Sequence, residues 1–343
     1  MKKHEKYMLR CLQLAENGMG TTRPNPLVGS VIVCKDNIIG EGWHRKAGGP
    51  HAEVFAIESV SDKSLLSRST LYVNLEPCSH YGKTAPCADL IVASGIKKVV
   101  IGTVDSNSVV KGNGVKKLLE AGIDVTIGVL VAECEALNKR FFTFMLEKRP
   151  FVILKWAETA DGFIAPSNKS DRKPVWISGS LSRQLVHKWR SEEHAILVGT
   201  NTVLDDNPSL TVREWTGNNP VRVVLDKSGK TSAEAAIIDN SADTIVITSN
   251  PIFAAPAHVK VELTEDFSVS SILTILYKNQ ITSVIVEGGA KTLQSFIDAE
   301  IWDEVRRFKG KSVFGSGIKA PFFNQTPSRI EQISDDTLEI YHK

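Results

Sequence analysis

The sequence predicts an α/β protein built from two three-layer domains, and three observations carry that expectation. Its 343 residues exceed the roughly 100–200 of a single domain. Short runs rich in Val and Ile alternate with stretches of helical periodicity along both halves. Between the halves, Glu147-Lys148-Arg149-Pro150 forms a charged junction that ends in proline, so the domains are expected at 1–147 and 150–343.

In the first half, Met8, Leu9, Leu12 and Ala15 recur at the spacing of a one-sided helix over 5–17. Strands follow at 28–34 and 38–43, joined by the tight turn Lys35-Asp36-Asn37. The pattern then alternates: helix 51–60, strand 70–75, helix 85–94, strand 97–102, helix 114–121, strand 124–128, and one long helix over 132–146. Strands separated by helices of this length imply a sheet covered on both faces, with right-handed crossovers. The second half restarts with a strand at 151–156 and continues through strands at 195–199, 221–226, 244–248 and 283–287 to a helix over 290–297.

Composition narrows the function classes. Hydrophobic residues make up 42% and charged residues 23%, which is ordinary globular content and excludes disordered or collagen-like chains. With 41 Lys and Arg against 39 Asp and Glu, the formal charge of +2 gives no reason to expect nucleic acid as a partner. No apolar run approaches the ~20 residues that span a bilayer, and Met1-Lys2-Lys3-His4-Glu5 leads into no signal peptide, so no membrane partner and a cytoplasmic location are expected. Five cysteines are an odd, sparse set, which favours metal binding over disulfides.

Three of those positions carry a chemical pattern. His51-Ala52-Glu53 opens a predicted helix, Pro77-Cys78 follows a strand, and Pro86-Cys87 opens the next helix. One imidazole and two thiolates near helix starts suit zinc, and three protein ligands leave a tetrahedral position open for water. Zinc lowers the pKa of such a water to about 7. Glu53 is placed to take its proton and return it to a departing amine. The bland alternatives are buried thiols, or a structural zinc knuckle with Cys34 as fourth ligand. Core packing is expected for Cys11, Cys34 and Cys134.

His51-Ala-Glu53 with the two Pro-Cys pairs resembles the zinc-dependent nucleoside and nucleobase deaminases. The run from Glu76 to Cys87, with Asn25-Pro-Leu-Val-Gly29, is similar to the deaminase half of the bifunctional riboflavin biosynthesis deaminase/reductase family. That resemblance implies a cytidine-deaminase-like fold for the first domain. It implies zinc on His51, Cys78 and Cys87, Glu53 as proton shuttle, and a phosphorylated pyrimidine substrate held by Asn25, His44, His80 and Lys83. The family's Asp-Pro-Asn-Pro segment is replaced by Asp105-Ser-Asn-Ser108.

G-x-G occurs at Gly18, Gly40, Gly112 and Gly315, none completed by a third glycine, so the second half has no Rossmann fingerprint. Instead, Gly288-Gly289 stands between a strand and a helix, a turn that lets backbone N–H groups approach a phosphate. Leu154-Lys155, Ala160 to Ala165, Val175 to Ser178, Asp205-Asp-Asn-Pro208 and Val286 to Gly289 resemble, in order, the reductase half of the same family. The resemblance implies a dihydrofolate-reductase-like fold that uses NADPH. Lys155 would then meet the substrate ribose in the reduction, with Arg190, Leu210, Arg213 and Glu287 lining that pocket. Ala157, Trp176, Thr202, Asp206 and the turn Gly289, Ala290, Lys291, Thr292, Leu293, Gln294 and Ser295 would hold the cofactor. Two departures stand out: Phe163 where the family carries a basic residue, and the charged segment 303–309 where it has an apolar strand. Both activities on one pathway intermediate, in a homo-oligomer, are the expected function; a deaminase of another nucleotide or of RNA with a non-catalytic second domain is the alternative.

Overall fold

In the computed structural model, which describes residues 3–79, 81, 85–105, 112–167 and 175–343, the chain divides into two units, Met1–Lys148 and Arg149–Lys343. Among the described residues no helix is long and apolar enough to cross a membrane.

The first unit runs α1 (Lys3–Glu16), β1 (Gly29–Cys34), β2 (Asn37–Trp43), α2 (Ala52–Ser59), β3 (Thr70–Leu75), α3 (Cys87–Ala93), β4 (Lys98–Thr103), α4 (Asn113–Glu120), β5 (Asp124–Ile127), α5 (Val131–Leu137) and α6 (Lys139–Glu147). Its sheet has the order β2-β1-β3-β4-β5, with β1 antiparallel to both neighbours and β3, β4 and β5 parallel. Alternation along the strands separates two layers of core. Ile32, Leu71, Val73, Val99 and Ile101 pack with Ala56, Ala88, Ile91 and Leu118 from α2, α3 and α4. Val31, Val33, Tyr72 and Val100 point the other way, to Met8 and Leu12 of α1 and Cys134 of α5. Cys11, Cys34 and Cys134 are all buried and free.

One expectation fails. The single helix over 132–146 is two helices, broken at Asn138, whose backbone leaves helical geometry at φ −100° and ψ 15°. The Asn138 side chain explains why a break is tolerated there. Its Oδ1 accepts from the Leu27 amide at 2.8 Å and its Nδ2 donates to the Leu27 carbonyl at 2.9 Å, so it closes a buried bridge 111 residues away in sequence.

The second unit contains β6 (Phe151–Glu158), β7 (Phe163–Pro166), α7 (Ser180–Glu192), β8 (Ala195–Gly199), α8 (Thr200–Asp206), β9 (Val221–Leu225), β10 (Thr244–Thr248), β11 (Val259–Leu263), α9 (Val269–Lys278), β12 (Ser283–Val286), α10 (Ala290–Asp298), β13 (Glu304–Lys309), β14 (Gly317–Lys319), β15 (Arg329–Ile333) and β16 (Asp336–His342). The large sheet has the order β11-β10-β9-β8-β12-β6-β13-β16-β15. It is parallel from β11 to β13 and antiparallel beyond, while β7 and β14 form a separate ribbon. One face packs on α9 and α10 through Leu276, Leu293 and Phe296, and the other on Val186 and Trp189 of α7 and on Val203 of α8.

The charged segment 303–309 proves to be an interior strand, because its charges are neutralised where they lie. In β13, Val305 and Phe308 enter the core, Arg306 pairs with Glu304 at 2.6 Å, and Arg307 and Lys309 share Glu339 of the adjacent β16.

Backbone proximity fixes Gly29 at the head of β1: a Cβ there would lie 2.0 Å from the Cys11 carbonyl oxygen and 2.9 Å from the Ala15 nitrogen of α1. Gly29→Ala must force α1 off the sheet, and a loss of about 1–3 kcal/mol from the first unit is expected. Thermal denaturation monitored on that unit's transition checks it; an unchanged midpoint would contradict the close packing.

Candidate active sites

His51 precedes α2, Cys78 follows β3 by three residues, and Cys87 begins α3, so three element ends bring the ligand atoms together. His51 Nδ1 lies 3.4 Å from Cys78 Sγ and 3.2 Å from Cys87 Sγ, and all three ligand atoms fall within 4.8 Å of one another. A tetrahedral zinc with bonds of about 2.0–2.3 Å separates its ligands by roughly 3.5 Å, so the donor set fits the ion in spacing as well as in chemistry. The thiols alone are in competition. The bond from Cys87 lowers the Cys78 pKa, aided by the Cys87 amide at 3.3 Å, and the same pairing raises that of Cys87. A divalent cation removes the competition by favouring both thiolates. Cys34 is absent from this cluster, which leaves three protein ligands among the described residues.

Glu53 is the second residue of α2 and is 2% exposed, and its Oε2 is buried with no hydrogen-bond partner. Burial raises its pKa above the ordinary carboxylate value. The cavity beside it, about 210 Å³, is lined by Asn25, Pro26, Val28, His44, His51, Glu53, Leu75, Glu76, Cys78, Asp105, Phe141 and Met145. His44 is fixed at both ring nitrogens: Nδ1 bonds the Pro50 carbonyl at 2.9 Å, and Nε2 meets the Asn25 amide at 3.1 Å. The carbonyl requires the proton on Nδ1, so Nε2 accepts from Asn25. Burial lowers the His44 pKa, consistent with a neutral ring. His80 and Lys83 lie outside the described residues.

In the second unit, a cavity of about 930 Å³ opens at the carboxyl ends of β6, β8, β9 and β12. Its wall includes Lys155, Ala157, Trp176, Thr202, Asp206, Glu287 and Gly289 to Leu293. Gly288 permits the approach of two strands' ends, since a Cβ there would lie 2.6 Å from the Gly199 nitrogen. The Gly289 amide is held by Thr202 Oγ1 at 3.0 Å, which fixes the start of α10 against α8. A helix start, a glycine-lined approach and a large cavity suit a dinucleotide. Gln294 and Ser295 fall outside the wall: Gln294 bonds Asp298 and the Phe322 amide, and Ser295 bonds the Thr292 carbonyl within the helix.

Behind this wall lies a buried charge cluster. Arg190 Nη2 donates to Glu287 Oε2 at 2.8 Å, and Lys155 Nζ stands 4.0 Å from Glu287 Oε1. Burial alone would raise the Glu287 pKa, but the charges of Arg190 and Lys155 outweigh it and bring it to about 2. Burial lowers the pKa of Lys155. Arg213 is turned toward Ser209 and Thr211, at 2.5 and 3.2 Å, and Leu210 is buried in the core at φ +54°. Arg190, a member of this cluster, Leu210 and Arg213 are absent from the cavity wall.

Comparison with known proteins finds matches to both halves of the chain. Residues 150–338 match the RibD C-terminal domain, and residues 1–103 match the cytidine and deoxycytidylate deaminase zinc-binding region. The riboflavin biosynthesis protein RibD of Aquifex aeolicus is 42% identical over 318 residues, covering 91% of this chain and 88% of that protein. The chain belongs to the RibD family. A crystal structure of a diaminohydroxyphosphoribosylaminopyrimidine deaminase/5-amino-6-(5-phosphoribosylamino)uracil reductase from Thermotoga maritima is 43% identical, with a TM-score of 0.91, covering 99% of this chain and 98% of that one. Acinetobacter baumannii RibD is 33% identical, with a TM-score of 0.89 and coverage of 99% and 98%. The protein is accordingly a riboflavin biosynthesis enzyme with a zinc-dependent deaminase and an NADPH-dependent reductase activity. Its folds are the cytidine-deaminase-like and dihydrofolate-reductase-like ones that the family implies.

Several RibD-family site neighbours were not legible as such. Glu76 was visible only as the residue before Pro-Cys, yet its buried carboxylate accepts four backbone N–H groups, from Asp105, Gly112, Gly114 and Val115 at 2.9–3.2 Å. Asp105 itself lines the first cavity, although the segment after it departs from the family pattern. His187, whose Nδ1 accepts from the Arg213 amide at 3.1 Å, carried no signal beyond its place three residues before Arg190.

Glu287→Gln leaves Lys155 and Arg190 without their counter-charge, and should destabilise the second unit by about 3–5 kcal/mol at neutral pH. The folded-state pKa lies below the ordinary 4.5, so this contribution is complete above about pH 4.5 and is lost as pH falls toward 2. Urea unfolding of parent and variant at pH 7 measures the difference; equal stabilities would contradict the cluster's charge assignment.

Proposed function

We propose that the first unit replaces the 2-amino group of 2,5-diamino-6-(5-phosphoribosylamino)pyrimidin-4-one with oxygen, and that the second reduces the ribosyl group of the product to ribityl. The observation that carries the first half is the buried, unpartnered Glu53 Oε2 in the cavity shared with His51 and Cys78. His51, Cys78 and Cys87 would hold zinc, which when bound would supply a water acidic enough to attack at neutral pH. Glu53 takes the proton from the attacking water as the new C–O bond forms at the amino-bearing carbon. It returns the proton to nitrogen as the C–N bond breaks, so ammonia leaves rather than amide ion. Asn25, oriented by its bond to His44, offers the ring edge a hydrogen-bonding amide. His80 and Lys83 are assigned to the substrate phosphate.

In the second unit, Lys155 orients and polarises the opened sugar, whose C1′ would accept the hydride that bound NADPH supplies while the attached nitrogen takes a proton from solvent. Ala157, Trp176, Thr202, Asp206 and the start of α10 would hold the cofactor, and Glu287, itself paired with Arg190, holds Lys155 at the cavity. Arg213 and Leu210 are assigned to the far part of the substrate.

Two variants separate the half-reactions. Glu53→Gln should keep zinc and abolish ammonia release, because the amide retains the shape and loses the proton carrier. Lys155→Ala should lower NADPH oxidation on supplied deaminated intermediate by orders of magnitude while ammonia release stays near the parent rate. Ammonia assay, cofactor absorbance and zinc analysis read all three quantities. Near-normal deamination by zinc-loaded Glu53→Gln, or reduction within a few-fold of the parent by Lys155→Ala, would remove the corresponding role.

A further inference from the structure

The break at Asn138 has a consequence for substrate recognition. It starts a separate helix, α6, whose Phe141 and Met145 stand one turn apart on the same side and both line the first cavity. Phe144, on another face of α6, is buried, so the helix has an anchored side and a cavity side. The anchor at its head is the Asn138 bridge to Leu27. Asn74 reinforces that bridge, donating to the same Leu27 carbonyl at 3.0 Å and accepting from the Gly29 amide at 2.8 Å. Asn25, Pro26 and Val28, which flank Leu27, line the same cavity. One buried hydrogen-bond cluster therefore sets the position of α6 and of the Asn25 segment together.

Asn25 and the unpartnered Glu53 Oε2 give the cavity polar groups that suit the edge of a polar ring. The two faces of such a ring are π surfaces and need apolar cover. At about 210 Å³ the cavity is smaller than the roughly 300–1,000 Å³ of sites that enclose a drug-sized ligand, so it admits a ring and leaves the phosphoribosyl part outside. Resting on the deaminase reading above, we propose that Phe141 and Met145 of α6 cover the pyrimidine ring of the substrate and determine the cavity's selectivity for a flat heterocycle. An aromatic ring and a thioether are the side chains suited to a π face, by stacking and by sulfur contact.

The test is steady-state deamination by the full chain, following ammonia, in Phe141→Ala, Phe141→Tyr and Met145→Ala. Zinc content and reduction of supplied deaminated intermediate are measured on the same samples. Phe141→Ala is expected to raise KM for deamination at least tenfold, with zinc and reduction unchanged. Phe141→Tyr, which keeps the ring, should stay within about threefold of the parent, and Met145→Ala should raise KM by a smaller factor. A KM for zinc-loaded Phe141→Ala within twofold of the parent would overturn the proposal, as would damage by Phe141→Tyr equal to that of alanine. Loss of zinc in Phe141→Ala would also overturn it, by assigning the residue to support of the metal site. Absence of ammonia release from the parent protein would instead refute the deaminase reading on which the proposal rests.

Discussion

Three ligand atoms from three element ends must stand within reach of one cation, and much of the first unit is arranged around that requirement. The head of α2, the end of β3 and the head of α3 bring His51, Cys78 and Cys87 together. The turn that carries Cys78 is held at both ends, by the Glu76 amide on the Thr103 carbonyl at 3.0 Å and by the Ala88 amide on the Cys78 carbonyl at 3.1 Å. Glu76 then gathers the start of α4 onto the same turn through its four backbone bonds. The site is stiff because its ligands sit on backbone that hydrogen bonds already fix.

Both units place their cavities by the same rule. Glu76 and Asp105 follow the parallel strands β3 and β4, and Ala157, Gly199, Leu225 and Glu287 lie at the carboxyl ends of β6, β8, β9 and β12. In open parallel sheets that edge collects helix starts and loops, which supply N–H groups and adjustable side chains. The electrostatics differ. The first cavity keeps a buried carboxyl oxygen, Glu53 Oε2, without a hydrogen-bond partner. The second surrounds Glu287 with two cations, which fixes it as an anion and keeps Lys155 close to the cavity.

What could be read from the sequence was whatever local pattern determines. The strands at 70–75, 195–199 and 244–248 have the expected bounds, because alternating or continuous apolar runs end at clear turn signals. The metal ligands were legible because two Pro-Cys pairs after His-x-Glu are chemically specific. The failures share a different cause: the deciding partner is far away in sequence. Asn138 breaks a helix by bonding Leu27, β13 carries its charges into the sheet only because Glu339 meets them, and Phe141 reaches the cavity only after the break. Gln294 and Ser295, adjacent in sequence to the start of α10, bond within or beside the helix instead of lining the cavity.

The central claim is that an open three-ligand zinc site performs the deamination independently of the reductase chemistry. The most direct measurement removes zinc from the full protein with a chelator, restores it stepwise, and follows ammonia release and NADPH-dependent reduction of supplied intermediate at each zinc content. Ammonia release rising in proportion to zinc and levelling at one ion per chain, with reduction unchanged throughout, is the predicted result. Full ammonia release from zinc-free protein would contradict the account.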